Sequence, residues 1–65
     1  MCEGKVLIVR NGEVKEQFEE VVSLLVDYNT RKVTFKTEEG GVYEYTGFTR
    51  IFCDFVKHLT RIELS

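Results

Sequence analysis

No proline interrupts the 65 residues, and no low-complexity stretch, linker or internal repeat divides them. The chain is therefore expected to fold as one unit, a single domain over residues 1–65. Its two cysteines, Cys2 and Cys53, form no Cys-x-x-Cys pair. That excludes a stapled disulfide framework and points to a reducing compartment, the cytoplasm. Long apolar runs are missing too. The run Val6 to Val9 is short, whereas a bilayer span needs about 18 apolar residues, so neither a secretory leader nor a membrane partner is expected. No lipidation motif is visible at either end. With one histidine, no serine–histidine or histidine–carboxylate arrangement at a telling spacing and no phosphate-binding glycine loop, no catalytic residues and no catalysis are expected.

An excess of positive charge is absent as well. Nine basic and eleven acidic residues leave a net charge of −2, and nucleic-acid affinity rests largely on Lys and Arg neutralising phosphates. Arg50, Lys57, His58 and Arg61 form the one conceivable basic patch, with Asp54 and Glu63 set among them. A solvated charged face is the simpler reading, so a small RNA-binding β-barrel stands as the alternative function. The acidic pairs Glu19-Glu20 and Glu38-Glu39 fall at expected turns, where water accounts for them.

What is present is a globular composition, 43% apolar and 31% charged. A domain near 60 residues buries only about 60% of the surface its unfolded chain exposes, so the core is thin. Pairing with a second copy would strengthen it, and a homodimer is expected.

The pattern is that of short strands separated by turns. Lys5 to Arg10 suits a central strand, and Asn11-Gly12 is a two-residue hairpin signal because both residues tolerate positive φ. Glu13 to Phe18 should pair back, placing Val14 and Phe18 on one face. Val21 to Tyr28 alternates, with Val22, Leu24, Val26 and Tyr28 on one side and Ser23 and Asp27 opposite, and reads as a core strand. After a turn at Asn29-Thr30-Arg31, Lys32 to Thr37 is half-buried. Glu38 to Gly41 turns the chain, and Val42 to Thr46 returns it as a strand of high β-propensity. Over residues 48–64 two readings compete. Ile51, Phe55, Leu59 and Ile62 recur at helical spacing, while aromatic and β-branched residues favour two strands, Phe48 to Phe55 and Leu59 to Leu64. The fold class expected is all-β: a small, mostly antiparallel barrel or sandwich of about six short strands, SH3-like or Sm-like, with the C-terminal segment as its open question.

The chain begins Met1-Cys2. Removal of Met1 would leave a terminal cysteine whose amine and thiolate close a five-membered ring on one cation, and both groups deprotonate readily when a metal competes with the proton. If Met1 stays, its amine, the Cys2 amide nitrogen and the Cys2 sulfur form two fused rings. Planar nitrogen and sulfur donors favour nickel(II) or copper(II), whereas a tetrahedral set favours zinc. Cys2 is the metal ligand in either case.

The Met-Cys start, the apolar strand Gly4-Lys5-Val6-Leu7-Ile8-Val9, the Asn-Gly hairpin, the Asp-x-x-x-His segment from Asp54 to His58 and the closing strand Leu59 to Leu64 together resemble the CooT family of small nickel-binding proteins. Some of that family were earlier labelled predicted RNA-binding proteins. The resemblance implies paired strands over residues 48–64. It also implies a homodimer whose Cys2 residues near the two-fold axis bind Ni(II) as a transported ion, for delivery to a nickel enzyme such as carbon monoxide dehydrogenase. Cys53, with Ile51, Phe52 and Phe55 around it in sequence, is expected in the core. His58 is expected at the surface first and as a ligand or its support second. Phe35, Tyr43, Tyr45 and Phe48 are expected to build the core and the dimer contact rather than a stacking platform for nucleic acid.

Overall fold

The computed structural model of the protein describes residues 4–65, so Cys2 lies outside the described residues. Six strands form: β1 (Gly4–Arg10), β2 (Glu13–Asp27), β3 (Lys32–Thr37), β4 (Val42–Thr46), β5 (Phe48–Asp54) and β6 (Leu59–Leu64). They make one sheet in the order β4-β3-β2-β1-β6-β5. The class is all-β, as expected, and residues 48–64 take the strand reading. The helical spacing there carried no weight against a run of β-branched and aromatic residues that pair across the sheet.

Every ladder is antiparallel except that between β1 and β6, which is parallel. The cause lies at Gly47, the single residue between β4 and β5. It has φ 84° and bends the chain without reversing it, so β5 continues in the sense of β4 but joins the opposite edge of the sheet. Gly47 N donates to Arg31 O at 2.8 Å, and Gly47 O accepts from Ser65 N at 3.1 Å. One glycine thus ties the two margins together and curls the sheet into a barrel-like body.

Sequence reading separates two strands at Glu19-Glu20, but they are one. The chain does not turn there; it bulges. Glu20 takes φ 56°, and the register slips as Gly4 faces Val21 while Val6 faces Phe18. The first half of β2 pairs with β1 and the second with β3, so a bent strand serves both walls. The bulge also moves the alternation. Val21 is buried whereas Val22 and Tyr28 are exposed, so the inward side of this half is Val21, Leu24 and Val26.

Val6, Ile8, Val21, Val33, Phe35, Phe48, Ile62 and Leu64 form the core, flanked by Phe18, Leu24, Val26, Tyr45 and Ile51. Phe35 stands at its centre. Its ring stacks on Tyr45 at 6.1 Å and on Tyr43 at 5.7 Å and meets the edge of Phe18 at 5.0 Å. Of the four aromatics assigned to the core, Phe35 and Phe48 are buried, Tyr45 is half-buried, and Tyr43 lies at the margin.

Two hairpins share one turn geometry. In the β2–β3 turn, Asp27 Oδ1 accepts from Asn29 N at 3.0 Å and from Thr30 N at 3.4 Å, and Arg31 takes φ 57°. In the β5–β6 turn, Asp54 Oδ1 accepts from Val56 N and Lys57 N, both at 3.1 Å, and His58 takes φ 54°. Each is an Asp followed four residues later by a left-handed residue, with the carboxylate satisfying the amides between them. An aromatic follows each Asp: Tyr28 in one, Phe55 in the other.

Candidate functional site

Strand β1 enters the sheet between Val21 and the carbonyl of His58, which accepts from Lys5 N at 2.8 Å. A cleft of about 230 Å³ opens there, lined by Gly4, Val22, Leu24, Asp54, Phe55 and His58 among others. The start of the described chain, the Asp54–His58 turn and the bulged part of β2 therefore share one end of the molecule. His58 is exposed, as its sequence setting suggests.

Asp54 and His58 are accounted for by turn chemistry. Asp27 and Arg31 play the same parts in the sister turn with no imidazole present, so the Asp-x-x-x-His spacing is the spacing of this turn type. Among the described residues, no group of three or more His, Cys, Asp or Glu side chains is placed to hold a metal ion.

Cys53 is not in the core; it is exposed. Strand β5 is the outer strand of the sheet, and Cys53 faces Thr60 one pair from the turn, with Thr60 Oγ1 3.8 Å from its sulfur. Among the described residues no strand pairs with β5 on its other side. The apolar neighbours that suggested burial mislead, because Phe52 and Phe55 are themselves exposed.

The basic residues do not gather into one patch. Arg50 Nε donates to Glu63 Oε1 at 2.9 Å, and Arg61 Nε donates to Glu63 Oε2 at 3.0 Å. Hydrogen bonds from Arg50 first, then Arg61, hold the Glu63 carboxyl below its usual range. Arg61 also lies over the Phe52 ring at 4.8 Å. Lys57 and His58 sit at the turn before the opposite end of β6. Beside the arginines an open groove of about 650 Å³ has Leu7, Val9 and Val14 in its wall.

At the aromatic margin, Tyr45 Oη donates to Glu16 Oε1. Burial first, and the Glu16 carboxylate second, push the Tyr45 phenol up to about 12. Sequence reading missed this pair, because the two residues lie 29 positions apart and only the bend of β2 brings them together.

Among the described residues no helix is long and apolar enough to cross a membrane. Compared with known proteins, the chain matches no family model, no curated protein and no solved structure.

Proposed function

We propose that this chain is a cytoplasmic nickel-binding accessory protein, a homodimer that holds Ni(II) through Cys2 and passes it to a nickel enzyme such as carbon monoxide dehydrogenase. The role is that of a carrier rather than a catalyst. The observation that carries the reading is where the chain enters the fold. Gly4 is fixed in the ladder between Val21 and His58 at the mouth of an exposed cleft. Cys2 precedes Gly4 by two residues, and two extended residues span at most about 7 Å. The open cleft beside Gly4 is the kind of setting that a carrier exchanging its metal would use.

Donors for a full coordination set would come from the amine or amide nitrogens beside Cys2 and from the Cys2 of a second copy. Such a sulfur and nitrogen set suits nickel in a plane. Bound metal would displace the thiol proton, so affinity should fall as pH drops. The RNA-binding alternative draws less support, since Glu63 occupies both Arg50 and Arg61, and Lys5, Lys15 and Lys32 each sit against a carboxylate.

Titration with nickel and with zinc, followed by thiolate-to-metal absorption, tests the proposal on wild type and Cys2→Ser. Wild type should take nickel at one ion per two chains and Cys2→Ser should lose the absorption band. Equal nickel binding by both proteins would refute the site.

A further inference from the structure

We infer that the open groove on the outer face of β1 and β6 binds an amphipathic carboxylate, its head held by Arg50 and Arg61 and its apolar body laid over Leu7, Val9 and Val14. The site uses neither Cys2 nor the Asp54–His58 turn and stands apart from the metal reading.

The ladders lay the groove out in two rows. One runs Val14, Val9, Glu63, Arg50 across β2, β1, β6 and β5, and the next runs Gln17, Leu7, Arg61, Phe52. Residues paired on neighbouring strands share a face of the sheet, so aliphatic side chains occupy the β1–β2 half and guanidinium groups the β5–β6 half. Val9 is buried yet stands outside the core cluster, because it belongs to this face and not to the inner one. Leu7 beside it is half-buried, and Val14 is 54% exposed. The aliphatic strip is therefore sheltered at its floor and open at its rim. With strands spaced about 4.8 Å apart, Val14 and Glu63 lie roughly 10 Å from one another, the reach of a medium-length hydrocarbon chain.

Charge selects the head group. Two guanidinium groups stand against one carboxylate here, which leaves a single positive charge over. The carboxylate also lies beneath its partners: the Glu63 side chain is 19% exposed, against 38% for Arg61 and 74% for Arg50. Each arginine is pinned through Nε, one to each Glu63 oxygen, and Arg61 is steadied over the Phe52 ring besides. Among the described residues the terminal nitrogens of both arginines make no further hydrogen bond. They are the pair of donors that a carboxylate meets as a fork. A monoanion matches the one surplus charge, whereas a phosphate dianion would exceed it and crowd Glu63. Small-molecule sites are mostly apolar hollows of about 300–1,000 Å³ in which a few polar groups fix the ligand's orientation, and this groove of about 650 Å³ has that make-up.

Titration of the protein with octanoate, followed by amide chemical shifts, tests this, with 1-octanol, butyrate and inorganic phosphate as comparison probes. Octanoate should bind saturably and move the amides of Leu7, Val9, Arg50 and Glu63 most. Octanol lacks the charged head and butyrate the apolar body, so each should bind at least about tenfold more weakly. Arg50→Gln should weaken octanoate by about tenfold and Val14→Ser by at least about threefold. Both side chains are exposed, so the rest of the spectrum should remain that of the folded sheet. Lys57→Gln, at the turn before the opposite end of β6, should bind octanoate as wild type does. Cys2→Ser should do the same, which separates this site from the metal. Octanol as tight as octanoate, an Arg50→Gln affinity equal to wild type, or shifts that spread over the surface without saturating would overturn the inference. Phosphate bound as tightly as octanoate, and undiminished in Val14→Ser, would overturn it in favour of a surface for polyanions.

Discussion

Phe35→Ala is the sharpest perturbation of this fold. The side chain is fully buried, and replacing a buried Phe by Ala costs about 3–5 kcal/mol in transfer and cavity terms. Phe35 lies at the upper end of that range, since its loss also breaks ring contacts with Phe18, Tyr43 and Tyr45 that are worth roughly 0.5–1.5 kcal/mol each in favourable geometry. A chain of 65 residues has a total stability of about 3–10 kcal/mol. The variant should therefore be unfolded or close to it in water. Phe35→Leu retains most of the volume but not the stacking and should cost about 1–2 kcal/mol. Urea titrations at one protein concentration give both values, with the slope unchanged and the midpoint moved. A Phe35→Ala midpoint within about 1 kcal/mol of wild type would mean that the three tyrosine and phenylalanine rings do not meet around this residue, and the account of the core would fall with it.

Gly47→Ala should cost about 1–2 kcal/mol, the usual penalty of a side chain in left-handed backbone; the new Cβ would meet only Ser65 Oγ, at 3.7 Å, so strain rather than collision is at stake. Thermal unfolding should shift by about 4–8 °C per kcal/mol in a domain of this size, and an unchanged midpoint would deny the corner its role in closing the sheet. Glu63, whose carboxyl is depressed by Arg50 and Arg61, contributes stability above the ordinary carboxylate value of 4.5 that is lost as pH falls below it, through the depressed folded value. Glu63→Gln should flatten that acid limb of the stability curve, and an unaltered limb would show that the two arginines do not hold the carboxylate in solution.

Much of the fold was legible because short-range chemistry dictates it. Asn11-Gly12 turns where both residues take positive φ, 55° and 79°, and the strands from Lys32 to Thr46 lie where alternation and β-propensity put them. Three features were not legible, each for a physical reason. Glu19-Glu20 reads as a turn because charge pairs favour solvent, yet a bulge exposes charge equally well without breaking the strand. The parallel β1–β6 pair is hidden because a one-residue link at Gly47 looks like a tight reversal, whereas it bends the chain and sends it onward. Cys53 resembles a core residue by its neighbours, and only the strand order shows that β5 is a margin. Of the candidate site, the exposure of His58 was legible, and the meeting of the Asp54–His58 turn with the start of β1 was not, since a parallel ladder makes it. Cys2, the metal ligand of the proposed function, lies outside the described residues.

The thin core and the exposed Phe55–Val56 pair of the β5–β6 turn bear on each other. With nine buried hydrophobic residues among the described ones, one copy has little margin, and any surface that pairs the native state and not the unfolded chain adds stability by mass action. Damage to the core and damage to a surface that pairs two copies then leave different signatures. Phe35→Ala should lower the unfolding midpoint at every protein concentration, because the lost contacts lie within one copy. Phe55→Glu should leave a dilute sample much as it was, yet abolish the rise in midpoint that wild type shows as its concentration increases. Measured as a concentration series, the two substitutions separate stability that belongs to the sheet from stability that belongs to the pair. A wild-type midpoint independent of concentration would locate all of it in the single copy and leave Phe55 and Val56 without a reason for their exposure.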